Sequence, residues 1–202
     1  MNRTTSLLLC AALLSSTVAL APTVARAGGG AGEAFLAKHD AVVALVDQSA
    51  SDRKLGQIID DMLDYDWLAQ ASLGGPENYA KVCGQRCDEF EALLSQLIRA
   101  NYIRMARQSK DHPMEYVGDV EGRGGVHKVS TRVEVEKNGR KRSVTVDYVM
   151  HQVGDRWQIR DIITDDVSLV RTYRHDFVKI ARSDGIDGLI SKLEAKLAEL
   201  DG

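Results

Sequence analysis

Three acids within five positions, Asp60, Asp61 and Asp64 of "DDMLD", make the sharpest candidate for chemistry in this sequence. On a helix, D-D-x-x-D sets its first and last carboxylates on one face, where they can hold magnesium against a diphosphate. Enzymes that work this way are large, all-helical and carry a second acidic cluster. The chain here turns to sheet, so the expectation is a solvated acidic face beside an apolar stripe. His39, His112, His127, His151 and His175 never stand at metal-binding spacing, and G-x-S-x-G, G-x-x-x-x-G-K-[ST] and H-E-x-x-H are all missing. "GRGGV", residues 122–126, precedes a strand-like segment instead of a helix whose N-terminus could hold an anion, so it reads as a glycine-rich turn or bulge. No catalytic residue, metal ligand or cofactor is expected. A site assembled from distant residues would draw on His127, His151, Asp147 and Asp161, although polar residues on the outer face of a strand are by default its solvated side.

Cys83 and Cys87 stand one helical turn apart in "CGQRC". This separation is compatible with a disulfide if the alpha carbons come within about 7 Å, with free thiols the alternative. A redox site would more typically be C-x-x-C, and zinc would need two further ligands. The disulfide reading goes with export. Arg3 precedes an apolar run from Leu7 to Leu20, followed by Ala25-Arg26-Ala27, so residues 1–27 read as a cleaved signal peptide. The run is too short for a stable membrane span, and the expected compartment is an oxidising, periplasm-like one. Cleavage removes Arg3 and Arg26 and no acid, which takes the formal charge from −3 to −5. An acidic chain of this kind is not expected to bind nucleic acid. Residues 28–202 fit one domain by length.

The elements that must carry these residues follow from periodicity. Apolar residues recur at helical spacing in residues 34–48, 51–75 and 87–108, the second stopped by Gly74-Gly75-Pro76. Period-two alternation then marks strands over 115–122, 125–137, 142–153 and 156–164, the last three joined at Asn138-Gly139 and Gly154-Asp155. Val144, Val146, Tyr148 and Met150 share one face, opposite Thr145, Asp147, Val149 and His151. Two amphipathic helices close the chain, over 167–183 and 185–200. The expected class is α+β: a twisted antiparallel sheet of about four strands, with amphipathic helices packed on one face around an apolar pocket. Arg140, Lys141 and Arg142 form a small basic cluster at a hairpin tip.

The stretch "VTVDYVMHQVGDRWQIRDIITDDVSLVRTYRHDF" resembles the C-terminal signature of the MlaC-like, or toluene-tolerance, family of ABC-transporter auxiliary components. Trp157, Asp161, Val167, Ser168, Leu169, Val170, Tyr173, Arg174 and Phe177 match it, and "GIDGLISKL" is similar to the closing helix. Upstream, Leu73-Gly74, "QRCDEFEALL" from Gln85 and Tyr102 also resemble the family. The chain departs at Asp166, where the family has glycine, at Thr172, where it has asparagine, and in "GPENYAKVCGQRC".

The resemblance implies a periplasmic phospholipid carrier working between an outer-membrane lipoprotein and porin complex and an inner-membrane ABC transporter with an MCE-type subunit. Its acyl chains would lie between sheet and helices. Candidate lining residues are Phe90, Leu94, Leu97, Tyr102, Val144, Val146, Tyr148, Met150, Trp157, Ile159, Leu169, Tyr173 and Phe177. A sharp strand-to-helix turn over 164–167 is expected to fold Leu169, Tyr173 and Phe177 back over Val144, Val146, Tyr148 and Trp157. The competing classes are a small-ligand binder or enzyme on a cone-shaped α+β scaffold, and a structural envelope adaptor.

Overall fold

The computed structural model describes residues 30–110, 112–137 and 139–201. The expected signal peptide and Asn138 lie outside them. The fold is α+β, and five antiparallel strands follow one another across an open sheet in the order β1-β2-β3-β4-β5. They are β1 (Met114–Glu121), β2 (His127–Lys137), β3 (Arg140–Val153), β4 (Arg156–Thr164) and β5 (Val167–Ser168). Lys137 pairs with Arg140 and Val153 with Arg156, so both joining turns are two residues long. Gly139 and Gly154 have φ of 72° and 64°, as such turns require.

Before the sheet come α1 (Ala31–Asp47), α2 (Asp52–Met62), α3 (Tyr65–Ser72), α4 (Pro76–Cys83) and α5 (Cys87–Gln108); after it comes α6 (Leu169–Asp201). The core lies between the helices and one sheet face, where Phe35, Ile59, Phe90, Leu94 and Leu189 meet Val129, Met150 and Ile159. Among the described residues no helix is long and apolar enough to cross a membrane.

The sequence periodicity runs unbroken through residues 51–75, but the helix does not. Leu63 adopts an extended conformation and bridges Ile159 of β4, with Asp64 N–H donating to the Ile159 carbonyl (3.1 Å) and the Gln158 amide to the Leu63 carbonyl (3.2 Å). Asp64 then caps α3 by accepting the Trp67 N–H. Pro76 does not simply stop a helix. It is the first residue of α4, with Gly75 before it at φ 103°. Cys83 and Cys87 are joined as a disulfide across a 3-10 turn, with alpha carbons 4.8 Å apart. The expected pair of closing helices forms one element bent at Gly185, φ 70°.

Val167 and Ser168, expected to begin a helix, form the short strand β5 after a tight turn at Asp165 and Asp166, whose φ values are 46° and 67°. Asp165 holds the turn, pairing with Arg142 and accepting the Thr145 N–H (3.3 Å). Asp161 carries the passage into α6: its carboxylate accepts from Ile162 N–H (2.9 Å), Ser168 hydroxyl (2.6 Å) and Val170 N–H (3.1 Å). The Ser168 Oγ accepts in turn from Arg171 N–H (3.1 Å). Two side chains thus satisfy donors that the first turn of a helix leaves open.

Candidate functional site

The "DDMLD" carboxylates diverge. Asp60 accepts from Arg99 Nε (2.5 Å) and the Tyr65 hydroxyl (3.0 Å). Asp61 pairs with Lys38 and with Arg156 Nη1 (2.7 Å), and these cations, Lys38 foremost, hold its carboxyl below the usual carboxylate range. Asp64 meets Arg160 Nε at 2.7 Å, and the Arg160 guanidinium lies 5.6 Å from the Trp67 ring centre. Each acid therefore ties a helix to α1, α5 or β4. Among the described residues no three His, Cys, Asp or Glu are grouped to hold a metal.

The four residues of the competing site also have separate roles. His127 Nδ1 sits 2.9 Å from Asp119 Oδ1, while Asp119 Oδ2 accepts the Gly32 N–H at 3.1 Å and so holds the start of α1. Asp147 pairs with Lys128 (3.1 Å) and Asp161 caps α6. Burial and then the Arg160 charge lower the His151 pKa. No acid and base among these four are hydrogen-bonded to one another.

The inner face of the sheet has a different character. Along β3 the register places Val144, Val146, Tyr148 and Met150 opposite Val133, Thr131, Val129 and His127 of β2. On the other side a register shift between Val149 and Met150 interrupts the alternation of β4, so Ile159 pairs with Met150 but Ile162, not Asp161, pairs with Tyr148. The shift brings Ile162 to the face of Tyr148 and sends Asp161 to the other, where it can cap α6.

Helices α1 and α5 cover Tyr148. The Phe35 ring is 4.3 Å from the Tyr148 ring, and Tyr102 and Thr131 engage the Tyr148 hydroxyl. The fully buried Thr131 donates to the Val146 carbonyl (2.9 Å). Burial pushes both phenols up, Tyr102 well above its ordinary value. Yet Tyr102 and Tyr148 are only half-buried, as are Val144, Val146 and Ile162. Tyr102, Tyr148 and Ile162 pack against the core yet keep part of their surface, so α1, α5 and the sheet leave some apolar surface accessible beside a cluster of hydroxyls.

The thirteen candidate residues divide between those that keep some surface and those in the closed core. Phe90, Leu94, Leu97, Met150, Ile159 and Phe177 are sealed. Tyr102, Val144, Val146, Tyr148, Trp157, Leu169 and Tyr173 keep surface. Tyr173 stacks on Phe177 (5.0 Å), which meets Phe90 edge-on (6.0 Å), so this aromatic group belongs to the α5–α6 contact. Trp157 lies apart, 4.7 Å from the His127 ring. Helix α6 packs on α3 and α5 and meets the sheet at β4 and β5, so the ring over Tyr148 comes from α1 instead of α6. Phe35, Thr131 and Ile162 escaped the sequence reading. An aromatic in the first amphipathic helix was a usable signal for Phe35, whereas nothing local marks the register shift that presents Ile162.

A family model described as "MlaC protein" matches residues 38–195. No curated protein matches the sequence. Among solved structures, the chain is similar to a phospholipid-binding protein from Ralstonia solanacearum, solved in complex with a phospholipid. The TM-score is 0.68 at 18% identity, covering 86% of this chain and 100% of that one.

Proposed function

The chain belongs to the MlaC family, and from that premise we propose that it is a non-catalytic phospholipid carrier whose acyl chains enter between β3, α1 and α5. The observation that carries this reading is the apolar surface that Val144, Val146, Tyr148 and Ile162 keep accessible on one sheet face, with Phe35 and Tyr102 against Tyr148. Each acyl methylene left in water costs about 0.8 kcal/mol, so two long chains need on the order of 20 kcal/mol of shelter. An apolar space between sheet and helices would supply that, and a polar surface groove does not. The Ralstonia protein, solved with a phospholipid, supports the same cargo class.

In this reading residues 1–27 are removed on export, residues 28–202 form one lipid-binding domain, and the protein works in the periplasm. It passes lipid between an outer-membrane lipoprotein and porin complex and an inner-membrane ABC transporter with an MCE-type subunit, which supplies any energy. Binding and release need no bond made or broken and no cofactor. The test is uptake of fluorescent phospholipid from vesicles by the wild type and by Val146→Trp, which adds a bulky ring to this face of β3. Uptake by the wild type and its loss in a variant with an unchanged circular dichroism spectrum is expected. Equal uptake by both moves the lipid away from β3, and no uptake by the wild type contradicts the carrier reading.

A further inference from the structure

Along α6, Arg171, Arg174, His175, Lys179 and Arg182 line a shallow open recess of about 720 Å³ with Val178 and Ser183. From residue 171 to residue 182 the stripe runs about 17 Å along one side of a helix. All five basic side chains are exposed. Among the described residues no carboxylate lies within ion-pair distance of Arg171, Arg174, Lys179 or Arg182; His175 pairs with Asp176 at 3.0 Å, and Arg171 reaches only the Asp166 carbonyl (3.3 Å). Several cations elsewhere are neutralised, Arg86 by Glu89 and Asp187, Arg107 by Asp52 and Arg160 by Asp64. Aligned along one side of one helix, these cations make a local excess of positive charge on a chain of formal charge −3.

We infer that this stripe is a reversible docking surface for the headgroup plane of an anionic phospholipid bilayer. The arginines match phosphate with paired N–H donors, and Lys179 adds a point charge. A protein partner fits less well. Stable protein interfaces are anchored by apolar or aromatic residues at a desolvated centre, and here the only apolar residue in the recess is the half-buried Val178. Of the large apolar residues that are exposed, Val43, Met105, Tyr116, Val117 and Val120 lie on other elements, and a single one, Val167, stands at the N-terminal end of the stripe beside Asp166. Repulsion from the remaining acids is screened beyond about 8 Å at physiological salt, so the stripe acts on the headgroups next to it. This inference stands on the stripe and is independent of where the cargo lies.

The test is flotation of the full-length mature protein with vesicles of equal phosphatidylglycerol and phosphatidylethanolamine, beside vesicles of phosphatidylcholine alone. Each cation near an anionic surface is worth about fivefold in affinity. Combined Arg174→Gln, Lys179→Gln and Arg182→Gln is therefore expected to weaken association with the anionic vesicles by roughly a hundredfold, and about 0.5 M salt to weaken the wild type similarly. Lys179→Gln with Arg182→Gln, two exposed side chains without partners, serves as a milder variant. Fluorescent lipid uptake by the same variants separates docking from cargo binding. Association equal on the two vesicle types, or unchanged in both variants, overturns the inference; the first result leaves the stripe to an acidic protein surface.

Discussion

Replacing Asp161 with alanine removes the acceptor of three hydrogen bonds at the point where β4 hands over to α6. Hydrogen bonds to a charged group contribute about 1.5–3 kcal/mol each, less than additively at one carboxylate. Two of these donors are backbone N–H groups, one of them in the first turn of α6, that water can partly reach. Asp161→Ala is therefore expected to cost about 3 kcal/mol, and Ser168→Ala, at a buried residue whose hydroxyl also caps Arg171, about 1.5 kcal/mol. Because the two share the 2.6 Å bond, the double variant should cost less than the sum of the singles by about 1 kcal/mol. Urea unfolding followed by circular dichroism, with equal slopes, measures all three. A loss below about 1 kcal/mol for Asp161→Ala, or strict additivity, would show that the helix start is held by something else.

Asp166→Gly should stabilise by about 0.5 kcal/mol, because relief of a left-handed residue at φ 67° exceeds the added freedom of the unfolded chain; a lower urea midpoint would contradict this. Reducing the Cys83–Cys87 bond, which closes a short loop, should cost about 2 kcal/mol in the urea midpoint. No change on reduction would mean that α4 and α5 hold their ends together without it. Burial lowers the pKa of His39, against the opposing pull of Asp40, and of His151 below the ordinary 6.5. As pH falls through 6.5 the unfolded chain takes up protons first, so the fold loses stability until the folded values are passed. The urea midpoint at about pH 5.5 should lie below that at about pH 7.5, and His39→Asn with His151→Asn should flatten the difference. A profile as steep in the double variant refutes the assignment.

What the sequence made legible is local, and what it hid depends on partners far along the chain. The hairpins at Gly139 and Gly154 could be read because two-residue turns need a left-handed glycine, and the alternation beside them sets the register. The break at Leu63 could not, since its cause is Ile159, 96 positions away, and the residues around it keep a helical pattern. The same break scatters Asp60, Asp61 and Asp64 toward Arg99, Arg156 and Arg160, so a metal-like spacing serves as three struts. Pro76 after two glycines reads as a stop, although a proline after glycine equally suits the first position of a helix. The inner face of β3 was legible from its apolar alternation, but the cover supplied by Phe35 was not, because amphipathic periodicity states that a face is buried and not against what. Trp157 and Tyr148, grouped in the sequence reading, take different neighbours, His127 and Phe35.

The central claim is that this protein holds phospholipid in its interior. The most direct test is organic extraction of the mature protein, purified gently from a periplasmic fraction, followed by mass spectrometry beside a matched unrelated periplasmic protein. The account predicts diacyl phospholipid in stoichiometric amount in the first and none in the second. A lipid-free protein that also takes up no phospholipid from vesicles would contradict it.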